Sequence, residues 1–305
     1  MQYLQGPYTS HLGELTPEER KIKEIFSDPN NFKVLKPLGS GSFATTYLIE
    51  TIDKRQYAGK AVPENKINTK NYKMILKEAV MQRGLDLKGT VKTYGMFRIN
   101  INNKNNVVII MDYYPGLTID KYFEQDAEEK KYPTDLHLGK EREFLSLIYI
   151  LAKDIEELHN NSIVHMDLNE GNILVYKHRP KLIDLGLACR MDETVYWEMD
   201  DCKTVRGTPQ YIAPEIFKKD FSQIYEADIW SFGAIIYYLV YKKYPFDPGN
   251  DVLEDLLDNL ASAAYPKYPK TSYNQTVEVI KYCLVRNPLD RPSAGDVARF
   301  ILKYL

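Results

Sequence analysis

The chain has 305 residues, 44% of them hydrophobic, and its 40 basic and 42 acidic side chains give a formal net charge of −2. This length and apolar content suit one large or two modest globular domains and exclude a disordered or fibrous chain. The nearly neutral balance gives no electrostatic reason to expect nucleic acid or an anionic membrane as a partner.

The three cysteines are too few for a disulfide framework, and no CxxC pair suggests a zinc site. They are Cys189, Cys202 and Cys283. We therefore expect reduced thiols. The N-terminus lacks the profile of a signal peptide, and the best apolar run, residues 232–241, is too short to span a bilayer. These features predict a soluble intracellular protein, either cytoplasmic or nuclear.

Residues 1 to about 31 predict a polar extension that carries one short helix. Thr16 supplies an N-cap, Pro17 a first-turn proline and Glu19 a capping-box carboxylate. The apolar side of this helix consists of Ile22, Ile25 and Phe26. We expect that side to dock on the body of the protein, with binding to a partner as the alternative.

Residues 32–111 contain short β-branched and aromatic runs separated by turn residues, a pattern typical of strands. One helix, over about residues 71–85, interrupts them. The asparagine-rich tract at residues 102–106 indicates a solvated hairpin turn.

Long amphipathic helices are predicted after a hinge at residues 112–115. The clearest helix has an apolar stripe formed by Phe144, Ile148, Leu151, Ile155 and Leu158. The predicted fold class is therefore α+β, with an antiparallel sheet lobe at residues 32–111 and a larger helical lobe at residues 116–305.

The first motif that bears on chemistry is LGSGSFATTY, at residues 38–47. Gly39 and Gly41 lie between two predicted strands, where backbone N–H groups can approach a polyphosphate without interference from Cβ atoms. Two glycines in a hairpin are usually only a turn. Here, however, Lys60 follows on the next predicted strand and Glu78 on the predicted helix, and a buried lysine needs a carboxylate partner.

Three further motifs follow the long helix. VHMDLNEGN contains Asp167 and Asn172, LIDLGLA contains Asp184, and RGTPQYIAPE contains Thr208 and ends at Glu215. Downstream, ADIWSFG carries Asp228 and NPLDRPSA carries Arg291.

In this order and spacing, the motifs resemble those of the eukaryotic protein kinase family over about residues 32–305. The resemblance implies a bilobal fold, ATP as substrate, magnesium as cofactor and transfer of the γ-phosphoryl group to hydroxyls of protein substrates. The glycine-rich loop, with its Ala44, and the strand YAGKAVPE look like the Polo-like kinases. No Polo-box region follows, so we expect either a truncated chain or a relative that lacks those modules.

The resemblance implies a role for each motif residue. Asp167 would accept the proton of the substrate hydroxyl, Asn172 and Asp184 would bind magnesium, and Lys60, paired with Glu78, would hold the α- and β-phosphates. The remaining residues expected to contact ATP are Leu38, Gly39, Ser40, Gly41, Ala44, Thr46, Ala58, Met111, Asp112, Tyr114 and Leu174.

The residues of the activation segment and its supports have implied roles as well. Thr208 favours specificity for Ser and Thr, and Thr204 lies where Polo-like kinases carry an activating phosphothreonine. Asp228 is expected to brace the catalytic loop backbone, and Arg291 to pair with Glu215.

Two departures from the family pattern bear on regulation and rate. Met166 replaces the arginine that commonly receives the activation-loop phosphate, so we hypothesise that phosphorylation of Thr204 is not a strict requirement. Lys203 or Arg190 is the alternative receiver. Asn169 replaces a lysine that helps to neutralise the γ-phosphate, which predicts a reduced rate. Leu185 is a lesser departure, because it keeps an apolar plug. Gln82 puts a polar group between the predicted helix and Leu185, which predicts a looser active arrangement.

Three functions are compatible with these residues. The first is an active Ser/Thr protein kinase, because all five essential polar residues are present. The second is a pseudokinase scaffold, which Met166 and Asn169 favour. The third is a small-molecule kinase with a similar HxDxxxxN loop; the APE segment and Asp228 argue against it.

Overall fold

The computed structural model describes residues 15–41, 44–67, 75, 78–79, 87–130, 138–191, 202–246 and 266–305. The chain divides into two compact units, the first ending at Pro115 and the second beginning at Gly116. Of the helix predicted over residues 71–85, the described residues Ile75, Glu78 and Ala79 are helical, and Gln82 lies outside the described residues.

The first unit begins with helix α1 (Pro17–Ser27). The hydroxyl of Thr16 accepts a hydrogen bond from the Glu19 N–H at 3.2 Å, and Glu19 Oε2 accepts one from the Thr16 N–H at 2.7 Å. This capping box satisfies two N–H groups at the helix start. Ile22 and Phe26 are buried in the apolar core of the first unit, which confirms that the helix docks on the body.

Five antiparallel strands form the sheet of the first unit, in the order β1-β2-β3-β5-β4. They are β1 (Phe32–Ser40), β2 (Thr45–Thr51), β3 (Gln56–Pro63), β4 (Thr93–Ile101) and β5 (Lys104–Asp112). Asn102 and Asn103 join β4 to β5 with positive φ angles, as a two-residue hairpin requires. The predicted turn is confirmed there, but Asn106, at the far end of the tract, is buried in β5.

The second unit is mainly helical. Its helices are α2 (Ile119–Lys130), α3 (Glu141–Asn160), α4 (Pro214–Phe217), α5 (Ile224–Tyr241), α6 (Asn274–Cys283) and α7 (Ala294–Leu302). Its short strands are β6 (Leu117–Thr118), β7 (Ile163–Val164), β8 (Ile173–Tyr176), β9 (Arg179–Leu182) and β10 (Cys189–Arg190). Strands β6, β8 and β9 form one sheet, and β7 pairs with β10. The predicted apolar stripe of α3 is buried along its whole length.

The predicted α+β fold class is confirmed, with an antiparallel sheet in the first unit and helices dominating the second. None of the helices in the described part of the chain combines the length and apolar character that crossing a membrane requires.

Two of the three cysteines form a disulfide, which corrects the expectation of reduced thiols. The Cα atoms of Cys189 and Cys202 lie 5.7 Å apart across the bridge, whereas Cys283 is a free buried thiol. The chain does have too few cysteines for a framework of several disulfides. A single bridge, however, needs only two cysteines that the fold brings within bonding distance, and pairing of β10 with β7 fixes the position of Cys189.

Candidate active site

An ion pair joins strand β3 to the helix that contains Glu78. Lys60 Nζ lies 2.9 Å from both carboxylate oxygens of Glu78. The Glu78 side chain is 4% exposed and that of Lys60 is 21% exposed. Because a buried carboxylate is costly unless it is paired, this contact fixes the ammonium group at one point. The structure thus brings the two predicted residues together.

The predicted glycine-rich loop is the turn between β1 and β2. Gly39 pairs with Thr46 and Ser40 with Thr45, and the Gly41 N–H donates to the Ala44 carbonyl at 2.9 Å. Residues 42 and 43 lie outside the described part of the chain. A Cβ built at Gly39 would have nothing within 4 Å, so the backbone there borders open space.

Three of the predicted adenine contacts lie on neighbouring strands of the same sheet. Ala58 on β3 pairs with Met111 on β5. The next residue, Asp112, donates its N–H to the Lys92 carbonyl at 2.9 Å, and its carboxylate accepts a hydrogen bond from the Tyr94 hydroxyl at 2.7 Å. Burial, together with this carboxylate, raises the pKa of Tyr94 well above its usual range, so the phenol stays a donor.

In the second unit, Asp228 braces the loop that carries Asp167. Asp228 is 1% exposed and accepts hydrogen bonds from the N–H groups of His165 at 2.7 Å and Met166 at 3.0 Å. The predicted brace is therefore confirmed. Met166 has a φ of +63°, a left-handed conformation that is rare for a residue with a side chain. The two bonds hold the loop in this conformation immediately before Asp167.

The Asp167 carboxylate accepts three hydrogen bonds. Its Oδ1 receives one from the Thr208 N–H at 2.9 Å and one from the Thr208 hydroxyl at 2.8 Å. Its Oδ2 receives one from the Asn172 amide at 3.1 Å, and the same amide donates to the Asp167 carbonyl at 2.9 Å. A carboxylate held in this way is positioned to accept a proton in a fixed direction.

Asn169 supports the same arrangement, which sequence reasoning missed. Its amide nitrogen donates to the Thr208 hydroxyl and to the Asp167 carbonyl, each at 3.1 Å, and its Oδ1 accepts the Gly171 N–H at 2.9 Å. The signal was present, because an asparagine two residues before a glycine is typical of a side-chain turn. Comparison with the family pattern alone indicates only that the positive charge of a lysine is missing at Asn169.

Asp184 and Asn172, the predicted magnesium ligands, lie on connected segments. The Ile183 N–H donates to the Asn172 carbonyl at 3.0 Å, and Asp184 has a φ of +64° while accepting the Gly186 N–H at 3.2 Å. Because Nδ2 of Asn172 is the atom that donates to Asp167, the amide presents Oδ1 to other ligands. One carboxylate and one amide oxygen fit magnesium, which prefers oxygen ligands and completes its shell with phosphate oxygens and water.

The segment that contains Thr204 has a basic contact that sequence reasoning also missed. Arg206 Nη2 donates to the Thr204 hydroxyl at 2.8 Å, and Arg206 lines a small cavity together with Met166. The signal was the two-residue spacing, which places Arg206 and Thr204 on the same side of an extended chain. The independence of activity from Thr204 phosphorylation stays a prediction.

Arg291 and Glu215 form a buried bidentate ion pair. Arg291 Nη1 lies 2.6 Å from Oε1 of Glu215, and Nη2 lies 3.1 Å from Oε2. The Arg291 side chain is fully buried and also donates to the carbonyls of Val285 and Glu226. The predicted pairing is confirmed, and it fixes the end of the APE motif against the chain before α7.

The motifs and this geometry agree with a match to a family model. The model of the protein kinase domain matches residues 32–300. The chain belongs to the protein kinase family.

Curated relatives of this kinase are Ser/Thr kinases, mostly Polo-like, at modest identity. The kinase is 31% identical over 212 residues to the probable serine/threonine-protein kinase PLK of Dictyostelium discoideum. These residues cover 69% of the kinase and 20% of that relative. It is 28% identical over 296 residues to serine/threonine-protein kinase polo of Drosophila melanogaster, with coverages of 93% and 47%.

A third relative is the probable cell cycle serine/threonine-protein kinase CDC5 homolog of Encephalitozoon cuniculi. The kinase is 30% identical to it over 272 residues, which cover 87% of the kinase and 53% of the relative. The kinase thus spans between a fifth and about half of the length of these three relatives. The resemblance to Polo-like kinases seen in its loop and strand motifs is confirmed.

Proposed function

We propose that the chain is an active serine/threonine protein kinase, which transfers the γ-phosphoryl group of ATP to Ser and Thr hydroxyls of protein substrates. The observation that carries the proposal is the Asp167 carboxylate, which accepts three hydrogen bonds from Thr208 and Asn172. Phosphoryl transfer requires mainly positioning of the reactants and stabilisation of charge. A general base held by the activation segment meets the first requirement.

In the proposed reaction, Asp167 accepts the proton of the substrate hydroxyl as its oxygen attacks the γ-phosphorus. Thr208 and Asn172 keep the carboxylate oriented, so little reorganisation is needed at that moment. The threonine hydroxyl on the base is also the feature that supports Ser and Thr as acceptors.

For ATP we propose the binding residues that the family resemblance assigns. In the first unit, Lys60 binds the α- and β-phosphates, the backbone of residues 39–41 and 44 borders the phosphates, and Ser40 belongs to that turn. The adenine contacts proposed in this unit are Leu38, Thr46, Ala58, Met111, Asp112 and Tyr114. In the second unit, Leu174 contacts the adenine, and Asn172 and Asp184 hold magnesium. When bound, magnesium neutralises charge on the phosphates.

Asn169 bears on the rate of this reaction. Its amide donates to Thr208 and to the Asp167 carbonyl but carries no charge, so it stabilises the base without neutralising the γ-phosphate. We expect phosphoryl transfer to be slower than in kinases with lysine here, with a few kcal/mol as the upper limit of the cost.

An intracellular location stays a prediction.

The test is phosphoryl transfer from radiolabelled ATP, with magnesium, to a generic protein substrate. The wild type is compared with Asp167→Asn, which keeps the shape of the side chain but cannot accept the proton. Glu143→Gln, on an exposed position of α3, is the matched control. We expect labelling by wild type and control and none by Asp167→Asn. Folded protein that labels nothing in any form contradicts the proposal and favours the pseudokinase scaffold.

A further inference from the structure

A β-bulge in β4 directs a buried tyrosine toward the end of β5. Thr93 of β4 pairs with Met111 of β5. The next pair along the ladder joins Gly95 to Ile110, so Tyr94 is an extra residue of β4 in this register. Gly95 has a φ of +135°, which residues with a Cβ atom rarely adopt. Because a bulge changes the direction of the side chain that it carries, the position of the Tyr94 ring is set by the sheet itself.

The hydroxyl of Tyr94 connects two carboxylates that come from different elements. It donates to Oδ1 of Asp112, at the end of β5, at 2.7 Å. Oε1 of Glu18, on α1, lies 3.4 Å from the same hydroxyl. The Tyr94 side chain is 4% exposed, and burial together with Asp112 raises the pKa of Tyr94 well above its usual range. The phenol therefore remains a donor, and it connects the N-terminal helix with Asp112.

Lys92 makes the same connection by a second route. Its ammonium group forms an ion pair with Oε2 of Glu18 and lies 5.5 Å from the centroid of the Tyr94 ring. The carbonyl of Lys92 accepts a hydrogen bond from the Asp112 N–H at 2.9 Å. The backbone and the side chain of Asp112 are thus both held by residues that contact Glu18.

Aromatic packing fixes α1 on the same part of the sheet. Phe26 of α1 is fully buried and meets the Tyr57 ring edge to face, with ring centroids 5.7 Å apart. Tyr57 meets Tyr94 in the same way at 5.8 Å, and it pairs with Asp112 in the register of β3 and β5. An exposed ion pair alone holds its partners weakly. Here the packing of Phe26 places Glu18 beside Tyr94.

We propose that α1, acting through Glu18 and Tyr94, positions Asp112 for contact with the adenine of ATP. A residue that is loose in the free protein must be ordered when a ligand binds, which lowers the affinity. The hydrogen bond from Tyr94 supplies that order before the nucleotide arrives. The inference rests on the proposed function, in which Asp112 contacts the adenine, and it makes Tyr94 a positioning residue for nucleotide binding.

The test separates KM for ATP from kcat. Tyr94→Phe removes the hydroxyl but keeps the ring, so Asp112 loses one hydrogen bond while the contact with Tyr57 stays. We expect KM for ATP to rise about threefold or more, with kcat at saturating ATP unchanged. A role in folding alone would lower the free energy of unfolding in urea without this selective change. A smaller rise in KM, or a loss that falls on kcat instead, overturns the proposal.

A second variant removes the other partner of the same hydrogen bond. Asp112→Ala deletes the carboxylate that accepts from Tyr94, and it should raise KM for ATP to a similar extent. It replaces Tyr94→Phe if that variant does not fold. The double variant Tyr94→Phe/Asp112→Ala should have about the same KM as either single variant, because one bond is lost in all three. Additive effects of the two substitutions contradict the proposed bond.

The contribution of α1 is tested with two exposed carboxylates of that helix. Glu18→Gln removes the charge beside Tyr94 and Lys92, whereas Glu24→Gln changes an exposed position of the same helix and is the matched control. We expect KM for ATP to rise about twofold or more in Glu18→Gln and to stay unchanged in the control. Equal KM values for these two variants overturn the part of the proposal that concerns α1.

Nucleotide binding without catalysis keeps failure of the kinase function distinct. ATP with a fluorescent label on its ribose is titrated with magnesium and protein, and its anisotropy gives Kd. If the wild type binds it but phosphorylates no protein, the kinase function fails, and a Kd about threefold or more higher in Tyr94→Phe still supports the positioning role. Equal Kd values overturn the positioning role but not the kinase function. Folded wild type that binds no nucleotide overturns both.

Discussion

Thr208 donates two hydrogen bonds to a single oxygen of Asp167, from its backbone N–H at 2.9 Å and from its hydroxyl at 2.8 Å. The segment that contains Thr208 therefore contacts the proposed general base directly. If this segment moves so that Thr208 no longer contacts Asp167, Oδ1 of Asp167 loses both of its hydrogen bonds. Oδ2 of Asp167 keeps its hydrogen bond from Asn172.

Replacing Thr208 tests this coupling. Thr208→Val removes the hydroxyl but keeps the backbone N–H and the shape of the side chain, so Asp167 loses one of its three hydrogen bonds. We expect kcat to fall about tenfold or more, with little change in KM for ATP. Thr208→Ser restores the hydroxyl and should recover most of the rate. Equal kcat for the valine and serine variants contradicts an orienting role for the hydroxyl.

The Lys60–Glu78 pair allows stability and activity to be separated. Lys60→Met leaves the buried Glu78 carboxylate without its ammonium, and we expect the free energy of unfolding to fall by about 3 kcal/mol. The double variant Lys60→Met/Glu78→Gln should regain most of that stability, because neither charge is left. Both variants should be inactive, because both lack the Lys60 ammonium group proposed to bind the α- and β-phosphates of ATP. Activity in the stable double variant contradicts the role of Lys60. Urea titration and the labelling assay supply the two readouts.

The Cys189–Cys202 disulfide predicts that stability depends on reducing agents. The two cysteines are separated by 13 positions, and releasing a loop of that size costs about 3 kcal/mol in the chain-entropy description. A reductant should therefore lower Tm, and Cys202→Ser should lower it equally and abolish the dependence.

The cysteines also differ in reactivity. Complete burial raises the pKa of the Cys283 thiol, so we expect native protein to resist alkylation until Cys202, which is partly exposed, is reduced. Three alkylated cysteines in unreduced, unfolded protein contradict the disulfide.

Asp154 on α3 predicts how stability changes with pH. Burial, followed by the charge of Glu157, raises the pKa of Asp154 from 3.8 to about 7. Between the two pKa values, 3.8 and about 7, the folded state therefore binds more protons than the unfolded state. The stability that the neutral carboxyl contributes to the protein is lost as pH rises through about 7. Asp154→Asn removes the titration.

We expect Asp154→Asn to be more stable than wild type at about pH 8, by at most about 4 kcal/mol, and similar to it at about pH 4. Urea titrations at both values check this, with Glu143→Gln as the exposed control on the same helix. A stability difference that does not change with pH contradicts the raised pKa.

Local patterns predicted much of the fold. The capping box of Thr16 and Glu19 and the apolar stripe of α3 are interactions between residues three or four positions apart, which helical geometry alone fixes. The brace from Asp228 was predicted differently. It spans more than sixty residues, and only the family resemblance connected it with the loop backbone.

The features that were missed depend on contacts between distant segments. The disulfide forms because β10 and the activation segment bring two cysteines together, which cysteine counting does not reveal. Asn169 contacts Thr208, 39 positions away, and the lysine that stands at this position in the family pattern gives no indication of that bond.

The most direct test of the account is to identify which residues become phosphorylated. Wild-type protein is incubated with radiolabelled ATP, magnesium and a mixed protein substrate, and the labelled substrate is hydrolysed for phosphoamino acid analysis, with Asp167→Asn in parallel. The account predicts phosphoserine and phosphothreonine from the wild type and no label from the variant. Phosphotyrosine alone, or equal labelling by both proteins, would contradict it.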